Sequence, residues 1–310
     1  MTRALVVTNP AAARTDARAV TAIRETLRGG GWDVEVLATL GPRDARRFAE
    51  EARDQKFDVI VSYGGDGTAM QIASAIVGTG IPLGLVPGGT GNLLAGNLRL
   101  PRNPAKAARA LLTARPHAID IGVSERADGR HYFAVASGTG FDAELMAETG
   151  AAAKQRWKFG AYVAHALAKL SKVHSVRHRI TVDGEAHEVG AAMLLVLNCG
   201  ELIPPFFRLG KDIEPDDGWL DVLALRADGV GQSVAAVWDL FRGSANGAGG
   251  GRVWWGRGRT IKVEVVSDRA RPVQLDGEVV GDTPFETKLL PGALQVLVDP
   301  AGAWKGSRHG

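Results

Sequence analysis

Along the first part of the chain the apolar positions alternate between two periods. Ala4–Thr8 is a short, β-branched run of strand length. Behind it Val20, Ile23 and Leu27 recur at helical spacing, with Asp16 placed to cap a helix and Gly29-Gly30-Gly31 placed to end it. Val34–Ala38 reads as a second strand, after which Pro42 at a first helical turn leads Ala45, Phe48, Ala49 and Ala52 along one face. Phe57–Ser62 is a continuous apolar run, followed by the turn Gly64-Gly65-Asp66-Gly67-Thr68 and a helical pattern through Ile72, Ala73 and Ile76. A fourth strand, Pro82–Val86, runs into Pro87-Gly88-Gly89-Thr90-Gly91-Asn92. Strands alternating with helices predict right-handed crossovers and a mostly parallel sheet covered on both faces.

Beyond Pro116 the pattern changes. Ala118–Val123, Tyr132–Ala136, Val176–Val182, His187–Asn198, Trp219–Leu225, Thr260–Val266, Val273–Leu275 and Leu294–Val298 are strand-like runs separated by turn dipeptides such as Asp128-Gly129, Asp183-Gly184 and Asp276-Gly277. This half reads as antiparallel β, interrupted by helical patterns at about Asp142–Thr149, Phe159–Leu170 and Ser233–Phe241. The glycine-rich stretch Ala245–Gly251 reads as a mobile loop. The expected organisation is an α/β domain over residues 1–117, an antiparallel β-sandwich over 118–299 whose last segment is free to pack back on the first domain, and a tail over 300–310.

Composition narrows the classes. A chain of 310 residues with 45% hydrophobic and 23% charged residues is neither disordered, collagenous nor coiled-coil. Its 40 glycines suggest tight turns and backbone that approaches a ligand closely. The formal charge of +3, with no basic block, does not point to nucleic acid but suits anionic ligands or an anionic membrane face. The single cysteine, Cys199, excludes an intrachain disulfide, fits a reducing cytoplasm, and sits in an apolar run that places it in the core. No signal peptide is recognisable, and the longest apolar stretch, Val189–Leu197, is about half of a membrane span, so the expectation is a cytoplasmic protein touching membranes peripherally.

Gly64-Gly65-Asp66-Gly67-Thr68 follows a buried strand and opens a helix, so its backbone N–H groups and the helix dipole converge on an anion at the carboxyl edge of the sheet. Asp66 adds the carboxylate that a phosphate-bridging divalent cation needs. The turn at Pro87–Asn92 repeats the arrangement after the neighbouring strand and contributes the Thr90 hydroxyl and the Asn92 amide. Two such turns at one sheet edge make a nucleotide cradle. The chain contains no Gly-x4-Gly-Lys-Ser/Thr, no Gly-x-Gly-x-x-Gly after the first strand, and no His-Glu-x-x-His or Cys-x-x-Cys; these absences argue against a P-loop NTPase, a dinucleotide oxidoreductase and a zinc hydrolase.

In family order, Asn9-Pro10, the two glycine turns, Gly138-Thr139-Gly140-Phe141-Asp142 and Asp276-Gly277-Glu278 resemble the diacylglycerol kinase catalytic-domain family, which includes bacterial lipid kinases and sphingosine kinases. The resemblance implies transfer of the γ-phosphoryl group of ATP to a lipid hydroxyl with Mg²⁺, in a cleft between a nucleotide domain and a β-sandwich. It implies that Gly65, Asp66, Gly67, Thr68 and Thr90 hold ATP phosphates, with Gly64, Gly89 and Asn92 in the same turns and Asn9 and Thr39 at the same edge. Asp66 would serve the metal and Glu278 would accept the lipid hydroxyl proton. Asp183-Gly184-Glu185 is the same tripeptide, in what reads as a simple hairpin, and leaves Glu185 as the alternative base. Glu214-Pro215-Asp216-Asp217-Gly218-Trp219 resembles an acidic loop holding a structural Mg²⁺ through Asp217, the Trp219 carbonyl and Glu214; a solvated acidic turn is the alternative.

The acceptor side is the least defined. Leu202, Ile203, Phe206 and Phe207 around Pro204-Pro205, with Phe141 and Met146, could line an apolar cleft or belong to sandwich core. His165, His174 and His178 read as surface residues. Lys154, Arg156, Lys158, Lys169 and Lys172 with Trp157 and Phe159 read as a solvated basic helix before a headgroup dock. Trp254-Trp255, between arginines, is the better candidate for a membrane interface, with the sandwich core as the other reading. A homodimer stays open. Two rival functions share the cradle: an NAD kinase, which should carry Asn-Glu or Asn-Asp where this chain has Asn92-Leu93, and a nucleotide-binding regulator without turnover.

Overall fold

Residues 1–140, 174–203, 207–209, 212–229, 231–232, 251–267, 269–300 and 304 are described here in a computed structural model. The chain opens with β1 (Arg3–Thr8), α1 (Ala17–Gly29), β2 (Asp33–Ala38), α2 (Asp44–Asp54), β3 (Val59–Gly64), α3 (Asp66–Ile76) and β4 (Leu83–Pro87). Asp16 caps α1 as expected, its carboxylate accepting the N–H of Ala19 at 2.7 Å. Helix α2 begins later than Pro42. Arg43 has a left-handed φ of 70°, so the chain turns once more, and the Asp44 carboxylate folds back to accept the N–H groups of Leu40 and Gly41.

Two helices follow that apolar periodicity does not mark, α4 (Leu93–Asn97) and α5 (Pro104–Thr113). The start of α5 does carry a local signal: Asn103 accepts the N–H of Lys106, and Pro104 fills the first turn, where its missing N–H costs nothing.

The remaining strands are β5 (Arg115–Arg126), β6 (Gly129–Phe133), β7 (Ala136–Gly140), β8 (Val176–Val182), β9 (Glu185–Ala191), β10 (Met193–Leu197), β11 (Glu201–Ile203), β12 (Phe207–Arg208), β13 (Leu220–Leu225), β14 (Val253–Gly258), β15 (Thr260–Val265), β16 (Pro272–Leu275), β17 (Glu278–Asp282) and β18 (Phe285–Val298). The helices expected within 142–149, 159–170 and 233–241, and most of the loop at 245–251, lie outside the described residues.

Among the described residues the largest sheet runs β2-β1-β3-β4-β18-β15-β8-β9, with β5 and β6 attached through β18. Its first four strands are parallel. Strand β18 serves both halves of the chain: its first part, Phe285–Lys288, pairs with β15, it pairs antiparallel with β5 on both sides of a bulge between Leu290 and Leu294, and it touches β4 in parallel at Val296 and Leu83. A second, antiparallel sheet runs β14-β13-β10-β7-β16-β17. The fold is an N-terminal α/β unit with a mostly parallel sheet and a C-terminal antiparallel β-sandwich.

The run His187–Asn198 is two strands rather than one. β9 ends at Ala191 on the large sheet, and β10 starts at Met193 in the second sheet, so the chain changes layer at Ala192. The central strands of sheet two, β7, β10 and β13, are buried on both faces. Leu194, Val196, Val222 and Ala224 face the sandwich interior against Ile180 and Val263, whereas Leu195, Leu197, Leu223 and Leu225 join a cluster that reaches Phe48, Ile72 and Leu94 of the α/β unit. Double-sided burial is why these strands read as unbroken apolar runs. Trp254 and Trp255 divide by the same alternation. Trp254 packs, half-buried, against the sandwich interior and Trp255, half-buried, against the other cluster, its indole N–H donating to Asp221 at 2.9 Å, as the sandwich-core reading expects. The surface reading of His178 is corrected: it lies on β8, 1% exposed, and burial pulls its pKa down, while His174 is exposed and His165 lies outside the described residues. Cys199 is core as expected, its thiol donating to the Ala134 carbonyl and pushed up in pKa by burial.

Candidate active site

The strand order places β2 and β3 on opposite sides of β1, so the crossovers leave in opposite directions and open a crevice at the carboxyl ends of β1 and β3. Asn9 follows β1 and the first glycine turn follows β3. Thr39, half-buried, follows β2 on the same edge, its N–H bonded to the Thr8 carbonyl at 2.8 Å.

The two glycine turns touch through their backbones. A Cβ on Gly89 would stand 2.6 Å from the Gly65 Cα, and one on Gly88 would stand 3.3 Å from the Gly64 Cα and 2.7 Å from the Thr15 Cγ2. Only residues without a side chain allow this approach. The first turn of α3 has its N–H groups beyond the reach of intrahelical partners, and Gly65, its N-cap, offers no capping side chain.

Several predicted side chains are committed to holding this geometry. Thr68 is 5% exposed, and its hydroxyl accepts from the Asn9 amide at 3.1 Å. The other end of the Asn9 amide accepts the N–H of Ala11. Asn92, in the left-handed region at φ 50°, exchanges two hydrogen bonds with the backbone of Gly89, accepting at 2.9 Å and donating at 2.7 Å. The side chains of Thr68, Asn9 and Asn92 therefore shape the loops, as do the N–H groups of Gly88 and Gly89, bonded to the Gly64 carbonyl and to Asn92, while Thr90 is exposed. Asp66 is the bridge between the turns. Its Oδ1 accepts the N–H of Leu93 at 2.6 Å at the start of α4, and desolvation raises its pKa despite these donors.

The β-sandwich delivers a second carboxylate to the same place. Oε1 of Glu278 lies 3.2 Å from the position that a Cβ on Gly67 would take. Glu278 opens β17, directly after the Asp276-Gly277 turn, whose φ values of 45° and 85° suit a tight hairpin. Asp183-Gly184 has the same conformation, φ 47° and 93°, but its glutamate goes elsewhere: Glu185 is 81% exposed and 3.8 Å from His187. Local sequence and local conformation are alike in the two tripeptides, and only the tertiary position separates them.

Asp276 was not singled out by sequence reasoning, although it stands in the same motif. Its carboxylate accepts three successive N–H groups, Ala134 at 2.7 Å, Val135 at 3.0 Å and Ala136 at 2.8 Å, and so ties the β17 hairpin to the segment between β6 and β7. Burial pushes its pKa up to about 6, opposed by those bonds and reinforced by the Asp66 charge.

The acidic loop is more heavily engaged than a solvated turn. Asp217 accepts from Trp219 N–H at 2.9 Å and Glu214 N–H at 3.3 Å, and burial pushes it up to about 6. Glu214 accepts the Trp304 indole N–H, and Asp216 pairs with His117. No cluster of three or more His, Cys, Asp or Glu side chains suited to a metal occurs among the described residues. Phe141, Met146 and Phe206, Pro204-Pro205 and the basic stretch from Lys154 to Lys172 lie outside the described residues, as do the side chains of Leu202, Ile203 and Phe207.

Comparison with known proteins agrees with this arrangement. Residues 3–124 match the model of the diacylglycerol kinase catalytic domain, and residues 134–298 match the YegS C-terminal NAD kinase beta sandwich-like domain. A probable lipid kinase YegS-like from Stenotrophomonas maltophilia is 32% identical over 283 residues, covering 89% of each chain. A diacylglycerol kinase from Mycobacterium tuberculosis is 28% identical over 275 residues, covering 87% of this chain and 86% of its own. The crystal structure of a diacylglycerol kinase from Bacillus anthracis superposes with a TM-score of 0.76 at 26% identity, covering 96% of this chain and 98% of that one. The chain belongs to the diacylglycerol kinase and YegS-like lipid kinase family. It is a kinase, and membership implies ATP as donor and a lipid as acceptor.

Proposed function

We propose that this protein transfers the γ-phosphoryl group of ATP to the hydroxyl of diacylglycerol or a related long-chain lipid. The observation that carries the reading is the approach of Glu278, from the second half of the chain, to Gly67, the residue after Asp66 in the first turn of α3. Phosphoryl transfer asks for positioning and charge neutralisation more than for covalent chemistry. The backbone N–H groups of Gly65 and Gly67, with Thr90, would hold the phosphates, and Asn9, Thr39, Gly64, Thr68, Gly89 and Asn92 would shape the edge of the crevice. Glu278 would take the proton from the lipid hydroxyl as its oxygen bonds to phosphorus and the bond to the β-phosphate oxygen breaks.

Mg²⁺ fits the donors present. Asp66 is a desolvated carboxylate held by backbone N–H groups at the start of α4, and magnesium needs only one or two carboxylates together with phosphate oxygens and water. When bound it would neutralise the phosphate charge. The acidic loop offers a hard-oxygen set of the same kind, Asp217, the Trp219 carbonyl and Glu214, and we include a structural Mg²⁺ there in the proposal.

The acceptor lies in a bilayer, so the chain would reach it from the membrane surface; no described helix is long and apolar enough to cross. The departure at Asn92-Leu93 favours lipid over NAD. Purified protein incubated with labelled ATP, Mg²⁺ and mixed micelles should phosphorylate diacylglycerol or another hydroxylated lipid, more rapidly with anionic lipid and more slowly at high salt. Phosphorylation of NAD at rates matching every lipid tested would overturn the acceptor assignment.

A further inference from the structure

Away from the reacting groups, the second glycine turn is fastened to the sandwich by a cluster that no step above uses. Asn97, the last residue of α4, meets the backbone of Glu201 as a strand partner would: its amide donates to the Glu201 carbonyl at 2.8 Å and accepts the Glu201 N–H at 3.0 Å. Two residues on, both terminal nitrogens of Arg99 donate to the Glu201 carboxylate, one at 2.9 Å and the other in a shorter contact. Arg99 holds a left-handed φ of 57°, a conformation an arginine rarely adopts, and this turns the guanidinium back toward β11. Glu201 is 3% exposed.

An ion pair with one buried partner, here Glu201 beside an Arg99 side chain that is 29% exposed, is a poor device for stability alone, because the cost of desolvating the buried charge offsets much of the attraction. It is a good device for fixing a direction, since a forked guanidinium accepts a carboxylate in one plane. The direction matters here because α4 has only five residues. One end, Leu93, is held by Asp66 in the cradle, and the other, Asn97, is held by Glu201. Glu201 itself belongs to the half of the chain, residues 134–298, that matches the β-sandwich domain.

We propose that Glu201, gripped by Asn97 and Arg99, is a positioning residue that sets the second glycine turn against the sandwich and thereby aligns phosphate donor with lipid acceptor. The inference rests on the lipid-kinase reading and extends it to a residue remote from the reacting atoms. Its test is replacement of the pair by apolar side chains of similar length, Arg99→Met with Glu201→Met, alongside the single variant Arg99→Lys. Each protein is assayed for thermal midpoint, ATP affinity by calorimetry, and kcat and KM for diacylglycerol in mixed micelles.

The double variant should melt within a few degrees of wild type or above it and bind ATP within about twofold, yet lose about tenfold or more in kcat, as misplacement by an ångström can. Arg99→Lys keeps the charge but not the fork, and should lower kcat without lowering the melting point. Wild-type kcat in a folded double variant, or in Arg99→Lys if the double variant does not fold, overturns the inference and leaves the kinase reading intact. Wild-type protein that binds ATP but phosphorylates no lipid overturns the kinase reading itself.

Discussion

The Asp66 carboxylate accepts the N–H of Leu93 at 2.6 Å and so joins the two glycine turns across 27 positions of sequence. The same side chain is desolvated, which raises its pKa, and it stands beside the place where Glu278 enters. Asp66→Asn keeps the shape and an acceptor oxygen for Leu93 but removes the charge. The expected result is a wild-type circular dichroism spectrum with at least a ~10²-fold loss of phosphoryl transfer. Near-normal turnover would show that the carboxylate is a clamp and nothing more.

The paired Asp-Gly-Glu hairpins supply an internal control. Glu278→Gln should lower turnover by about 10²–10⁴-fold with ATP binding retained, and Glu185→Gln should change neither. Damage from the Glu185 variant with an active Glu278 variant would reverse the assignment of the base.

Contact between the glycine turns predicts a steric effect. In Gly89→Ala the new methyl would stand 2.6 Å from the Gly65 Cα, a backbone atom that cannot swing aside. Overpacking of this kind costs about 1–3 kcal/mol, and because the strain falls on the cradle, ATP affinity measured by calorimetry should fall with it. Gly29→Ala, at the end of α1 where a Cβ would meet nothing within 4 Å, should leave ATP affinity at the wild-type value and stability unchanged or slightly raised.

Asp276 links stability to pH. Its pKa of about 6 in the fold lies above the ordinary value of 3.8, so between those values the native state holds a proton that the unfolded chain has released. Stability from this group is therefore greatest below about pH 4 and is lost as pH rises to about 6. Asp217 titrates in the same sense. Denaturant titrations at several pH values should show that Asp276→Asn weakens the decline between pH 4 and 6 without abolishing it. An unchanged pH profile would remove Asp276 from the account.

For the acidic loop the measurement is the melting point with and without Mg²⁺. An ion that binds the native state raises stability in proportion to its occupancy. Asp217→Ala should shrink the Mg²⁺-dependent rise seen in the wild-type protein. Equal rises in the two proteins would mean that the loop serves only its hydrogen bonds to Trp219 and Glu214.

Amino-acid order by itself determined the features that short-range physics controls. Asp16 as a cap, the four parallel strands and the glycine turns were all readable, because period, capping chemistry and conformational freedom are properties of a few adjacent residues. The start of α2 was misplaced because the left-handed turn at Arg43 has no strong residue signal. The apolar run at 187–198 hid a change of layer, since strands buried on both faces lose the alternation that would reveal it.

What tertiary structure alone decided are the relations between distant segments. Glu278 and Glu185 follow the same dipeptide in the same turn, yet β17 is carried to Gly67 while the Glu185 hairpin ends in solvent. Trp254 and Trp255 pack half-buried against two different clusters because they lie on opposite faces of β14, and Glu201 became a clamp because β11 meets α4. Such relations are set by how sheets stack and where β18 crosses from one half to the other. Local propensity contains no term for that, because the contacts form between residues a hundred or more positions apart.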